Sequence, residues 1–110
     1  DSVANVKEIV SVPGVDCLFI GPMDLSVDLG VTADFQHPKF LDAVRKVEQA
    51  AKEARVPLGT LVGTPEEAQK KAEEGYLFLG ISSDARHLAT GVRKDGEKVA
   101  KIREAMGFKL

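Results

Sequence analysis

The chain has 110 residues, 44% hydrophobic and 29% charged, with 15 basic side chains against 17 acidic for a net charge of −2. That balance excludes a disordered tail, a coiled coil, an apolar stretch of the roughly 18 residues that span a membrane, and the basic excess of a nucleic-acid binder. A single cysteine, Cys17, excludes an internal disulfide and a multi-cysteine zinc site, and its apolar setting reads as a buried, reduced thiol of a cytoplasmic protein.

In chain order, Val3, Val6, Ile9 and Val10 share one face of a helix predicted over residues 3–12. Pro13 and Gly14 end it. Leu18, Phe19 and Ile20 then stand in sequence between breakers, so residues 15–21 read as a strand buried on both faces of a parallel sheet. Residues 22–36, with Pro22 and Gly30, read as a loop holding at most a short helical turn. His37 and Pro38 open the longest helix, because proline fits a first turn where its missing N–H has no partner to lose. Phe40, Val44, Val47, Ala51 and Ala54 follow at spacings of 4, 3, 4 and 3, which is one apolar stripe. Residues 57–62 are a second strand. Thr64, Pro65, Glu66 and Glu67 form a capping box whose helix ends at Gly75. Residues 76–82 are a third strand. Residues 84–92 and 97–106 read as two helices separated by Asp95 and Gly96.

The order α-β-α-β-α-β-α predicts the α/β class, with a parallel sheet and right-handed crossovers. Three strands fall short of the five or so of a doubly wound domain and the eight of a barrel. The pattern therefore reads as part of a larger α/β fold. A helical pattern that begins almost at residue 1, and a start at Asp1 without methionine or signal-type segment, suit a processed chain or a piece of a longer one.

In such folds chemistry collects at the carboxyl ends of the strands. Gly21, Pro22, Met23 and Asp24 follow the first. Gly21 permits close approach to a ligand, Pro22 stiffens the turn, and the N–H groups of Met23 and Asp24 can face an anion. A strand-end carboxylate at Asp24 suits a hard divalent cation shared with substrate oxygens. The competing reading is that Asp24 caps the following turn. Asp28 and Asp34 read as solvated loop acids and His37 as a cap. His87 has no second ligand at a metal-binding spacing. Ser82, Ser83 and Asp84 read as caps of the helix that follows, and Lys70, Lys71, Glu73 and Glu74 as a solvated face. Residues 86–110 carry seven basic and three acidic side chains, which solvated helix faces explain.

The run PGVDCLFIGPMDLS over residues 13–26, followed by Gly30, His37 and Pro38, resembles the HpcH/HpaI aldolase family. Residues 57–61 (PLGTL) and 75–84 (GYLFLGISSD) resemble later strands of the same family, so the likeness covers essentially the whole chain. It implies that residues 1–110 are the C-terminal portion of one (β/α)8 barrel domain. It also implies a class II, metal-dependent aldolase that reversibly cleaves 4-hydroxy-2-oxo acids into pyruvate and an aldehyde. On this resemblance Asp24 is a ligand to Mg²⁺, Mn²⁺ or Co²⁺, and Gly21 and the backbone N–H of Met23 hold pyruvate. Leu61 lies near the aldehyde portion, and the protein is a homo-oligomer, a trimer or hexamer. The family's glutamate ligand falls just before Asp1, and its catalytic histidine and keto-polarising arginine fall further upstream, so no residue of this chain is assigned an acid–base role. Met23 stands where a smaller residue is common. Asp95 and Gly96 lengthen the segment after Gly91, and the family's last helix tends to reach a neighbouring subunit. The alternatives are a small doubly wound ligand-binding domain and a non-catalytic interaction module.

Overall fold

A computed structural model describes residues 2–108. Its elements are α1 (Val6–Val10), β1 (Leu18–Ile20), α2 (Pro22–Asp28), α3 (Pro38–Ala54), β2 (Leu58–Val62), α4 (Pro65–Glu73), β3 (Tyr76–Ile81) and α5 (Asp84–Ala105). The strands form one parallel sheet in the order β1-β2-β3. Leu18 lies opposite Leu58, Ile20 opposite Thr60, and Val62 opposite Ile81.

The helix caps follow local chemistry. Nδ1 of His37 accepts the N–H of Lys39 at 3.1 Å and starts α3. Oγ1 of Thr64 accepts the N–H of Glu67 at 3.2 Å, and the Glu67 carboxylate reaches back to the N–H of Gly63 at 2.7 Å. The capping box is thus closed on a donor one residue ahead of the usual N-cap N–H. Gly75 takes a φ of +98° after α4, a backbone that only glycine enters cheaply.

Four expected element boundaries are corrected. The first helix is five residues rather than ten, since Asn5 offers it no side-chain cap. β1 begins at Leu18 rather than residue 15, because the chain is still turning through Gly14 at φ +93°, with the Val15 N–H on the Val12 carbonyl. The loop after β1 opens as the seven-residue α2, with Pro22 in its first turn and Asp24 beside its positive end. Asp95 and Gly96 do not break the last helix, and α5 runs unbroken for 22 residues. Gly96 stays out of the left-handed region. A helix-interior glycine costs only about 1 kcal/mol, less than giving up the hydrogen bonds on both sides of it.

One face of the sheet carries helices. Val6 and Val10 of α1, Leu18 of β1 and Ala50 and Ala51 of α3 make the core, with Val47, Val56 and Leu58 packed against it. The two alanines let α3 come close to β1. Tyr76 is 2% exposed, and its hydroxyl donates to Oε1 of Glu48 at 2.7 Å. Burial first, then the Glu48 carboxylate, push that phenol far above its usual range. The ammonium of Lys71 lies 4.8 Å above the same ring.

The other face is open. Phe19 and Phe78 meet edge-on there, 5.6 Å between centroids, directly over Gly59. A Cβ on Gly59 would lie 2.6 Å from the Phe19 ring and 2.8 Å from the Phe78 carbonyl oxygen. Gly59→Ala should therefore cost about 1–3 kcal/mol by overpacking. A lowered urea midpoint in the protein carrying this chain checks it, and an unchanged midpoint contradicts it.

The first strand, expected to be buried on both faces, keeps Phe19 exposed, and the third, expected to be buried, keeps Leu77, Phe78 and Ile81 exposed. Cys17, expected to be buried, is half-buried. No described residue of α5 is buried, and the chain measures 65 × 27 × 21 Å. Its radius of gyration is 19.3 Å, against roughly 13 Å for a compact chain of this length. A doubly wound domain covers both faces of its sheet, which this arrangement does not do.

Candidate functional site

Gly21 ends β1 and is the N-cap residue of α2, with no side-chain hydrogen bond at that cap. Pro22 and Met23 follow, and Asp24 occupies the first turn. Asp24 therefore sits inside the helix and does not cap it. Its carboxylate folds back over the turn, so that a Cβ on Gly21 would lie 3.0 Å from Oδ2. A side chain there would crowd that carboxylate, while the backbone is not left-handed. Among the described residues no hydrogen-bond donor or cation engages that carboxylate.

The carboxylate faces a cleft of about 500 Å³ whose walls include Val6, Ile9, Ile20, Gly21 and Asp28. Asp28 stands one helical turn beyond Asp24 on α2, so two carboxylates share the cleft. Met23 is half-exposed beside them. Among the described residues no three His, Cys, Asp or Glu side chains are grouped to hold a metal ion. Asp24 fits such an ion as one hard oxygen ligand of a set, the share a carboxylate takes in sites completed by other groups and substrate.

Leu61 does not line that cleft. It lies on the open face of β2, one residue beyond the Ile20–Thr60 pair and so level with Gly21. It is 46% exposed, and Gly80 opposite leaves room for its Cδ1, 3.0 Å from where a Cβ would stand. Asp24 and Leu61 thus flank the same end of two neighbouring strands without touching one cavity.

The remaining candidates fall to structural roles. His37 and Ser83 are N-caps, the latter accepting the N–H of Arg86 at 3.2 Å. Asp84 accepts from the N–H of Ala85, and Asp34 from that of Gln36. His87 is exposed on α5. Ser82, in the turn to α5, holds a φ of +63°. A larger cavity, about 720 Å³, lies at the opposite, amino ends of β2 and β3. Its acids are engaged, Glu48 by Tyr76 and Glu74 by Lys71.

Sequence reasoning passed over Ser26. It is 0% exposed, and its Oγ–H donates to the Met23 carbonyl at 2.7 Å while Oγ accepts the Ala33 N–H at 3.0 Å. The only signal was its place two residues after Asp24, between Leu25 and Val27.

The family model for HpcH/HpaI aldolase/citrate lyase matches residues 1–91. The chain is similar to 2-dehydro-3,6-dideoxy-6-sulfogluconate aldolase of Pseudomonas putida, 39% identical over 83 residues, covering 76% of this chain and 32% of that protein. It is 35% identical over 91 residues to 4-hydroxy-2-oxo-heptane-1,7-dioate aldolase of Klebsiella pneumoniae, covering 83% and 34%. Its fold superposes on the HpcH/HpaI aldolase of Desulfitobacterium hafniense DCB-2 with a TM-score of 0.83 at 33% identity, covering 99% of this chain and 41% of that one. The chain spans about a third of the length of the curated relatives it matches.

Proposed function

Because the chain belongs to the HpcH/HpaI aldolase/citrate lyase family, we propose that residues 1–110 are the C-terminal portion of one (β/α)8 barrel. On this proposal the barrel reversibly cleaves a 4-hydroxy-2-oxo acid into pyruvate and an aldehyde. The observation that carries it is the free carboxylate of Asp24, held over Gly21 at the carboxyl end of β1. The open sheet face, with Phe19, Leu61 and Phe78, supports it as the inward face of a barrel whose other strands lie outside this chain.

On this reading Asp24 contributes one oxygen ligand to a divalent cation, Mg²⁺, Mn²⁺ or Co²⁺. When bound, such an ion supplies Lewis acidity for negative charge developing on substrate oxygens. Gly21 leaves the space in which the carboxylate and a 2-oxo acid meet, and the Met23 N–H donates to the pyruvate carboxylate. No residue of this chain is assigned a proton transfer. A cytoplasmic homo-oligomer, a trimer or hexamer, belongs to the same proposal. The test is pyruvate release from 4-hydroxy-2-oxo acids by the full-length protein, before and after chelation and with Mn²⁺ restored. Release that ignores the chelator overturns the reading.

Leu61 gives the aldehyde half dispersion contacts and no hydrogen bond. One or two methylenes in such a pocket are worth roughly 1–3 kcal/mol. Leu61→Ala in the full-length protein should change the ratio of kcat/KM between short and long aldehydes by about tenfold or more, with pyruvate KM little changed. Unchanged aldehyde ratios with a melting temperature well below wild type would instead place Leu61 in the packing of the barrel interior, at a cost of about 2–5 kcal/mol.

A further inference from the structure

Among the described residues the Asp24 carboxylate has no partner to aim it, and α2 is seven residues with no side-chain N-cap. A helix that short does not hold its own geometry. Ser26 supplies what is missing. Its hydroxyl donates to the carbonyl of Met23, which belongs to the same peptide plane as the N–H of Asp24. That plane fixes the direction in which the Asp24 side chain leaves the backbone.

A serine bonding back to the carbonyl three residues earlier is common within helices. Ser26 does more. The same oxygen accepts the N–H of Ala33, seven residues on, and the Ser26 carbonyl accepts the N–H of Val31 at 2.9 Å. Ala33 is held at φ +60°, a left-handed backbone costly for a residue with a Cβ. One buried hydroxyl therefore ties the first turn of α2 to the returning segment at residues 31–33. We infer that Ser26 is a positioning residue that holds the Asp24 carboxylate in ligating orientation, an inference resting on the reading of Asp24 as a metal ligand.

The test is Mn²⁺ binding to the full-length protein by titration calorimetry, below the melting temperature of each variant. Ser26→Ala should weaken Mn²⁺ by roughly 10- to 100-fold, the scale for groups that orient a metal ligand without touching the metal. Ser26→Cys, near in size and able to bond weakly at both partners, should recover part of that loss. Asp24→Asn should lose Mn²⁺ binding outright. If Ser26→Ala melts lower yet binds Mn²⁺ as the wild type does, while Asp24→Asn does not bind, Ser26 is structural only and the inference fails alone. If Asp24→Asn binds Mn²⁺ normally, the reading of Asp24 fails and the inference with it. Should Ser26→Ala not fold, Ser26→Cys decides: weakened Mn²⁺ supports the inference and wild-type affinity overturns it.

Discussion

Asp24→Asn in the full-length protein is expected to abolish metal-dependent pyruvate release. The substitution is nearly isosteric, so the backbone of α2 and the space over Gly21 are retained. It removes the charge and one hard oxygen from the only partner-free carboxylate in the first turn of that helix. The activity should fall by at least about 10²-fold, the scale seen when a preorganised group facing developing charge is removed. Asp28→Asn is the matched control, since Asp28 shares the cleft one turn further from the strand end. It should leave most of the activity in place. The measurement is initial rate at saturating Mn²⁺ with the melting temperature recorded alongside. Full activity in Asp24→Asn, or equal losses in both variants, removes the special role of Asp24.

The second large effect concerns the 110 residues on their own. They should not behave as a monodisperse monomer with a sharp melt. β1 and β3 each present an unpaired parallel edge, and Phe19, Leu61 and Phe78 lie open on the face away from the helices. α5 and its C-cap residue Met106 add Leu88, Val92, Val99, Ile102 and Met106 itself, none of them buried. Exposed apolar surface on that scale marks an interface or drives association. Sedimentation should show self-association, or circular dichroism should show helix without a cooperative transition. A cooperative two-state melt from a monomer would overturn the expectation, and with it the proposal that further barrel strands complete this core. On the barrel proposal, mixing with the proposed preceding strands should restore cooperativity.

Much of this was legible in residue order. The stripe from Phe40 to Ala51 gave α3, the Thr64 and Glu67 pair gave the start of α4, and short apolar runs between breakers gave three parallel strands. These signals are local: a helix face repeats every three or four residues and a cap involves side chains within one turn. The motif around Gly21 and Asp24 also stood out, because it is contiguous and sits at a strand end. The last helix was misjudged at Asp95 and Gly96 because propensity is a weak term that continuing backbone hydrogen bonds override. α2 was hidden because its apolar residues Met23, Leu25 and Val27, with Leu29 at its C-cap, alternate with polar ones instead of repeating every three or four.

The sequence alone determined the three strands and their parallel order, the helices α3 and α4, and which carboxylate stands at the end of the first strand. Only the tertiary structure decided that Asp24 is free rather than a cap, that it shares a cleft with Asp28 and not with Leu61, and that Ser26 is fully buried between Met23 and Ala33. It also decided that Phe19 and Phe78 face open space, where the apolar runs had suggested burial. The reason is that hydrogen-bond partners and burial are set by segments distant in the chain, whereas periodicity and capping are written into neighbouring residues.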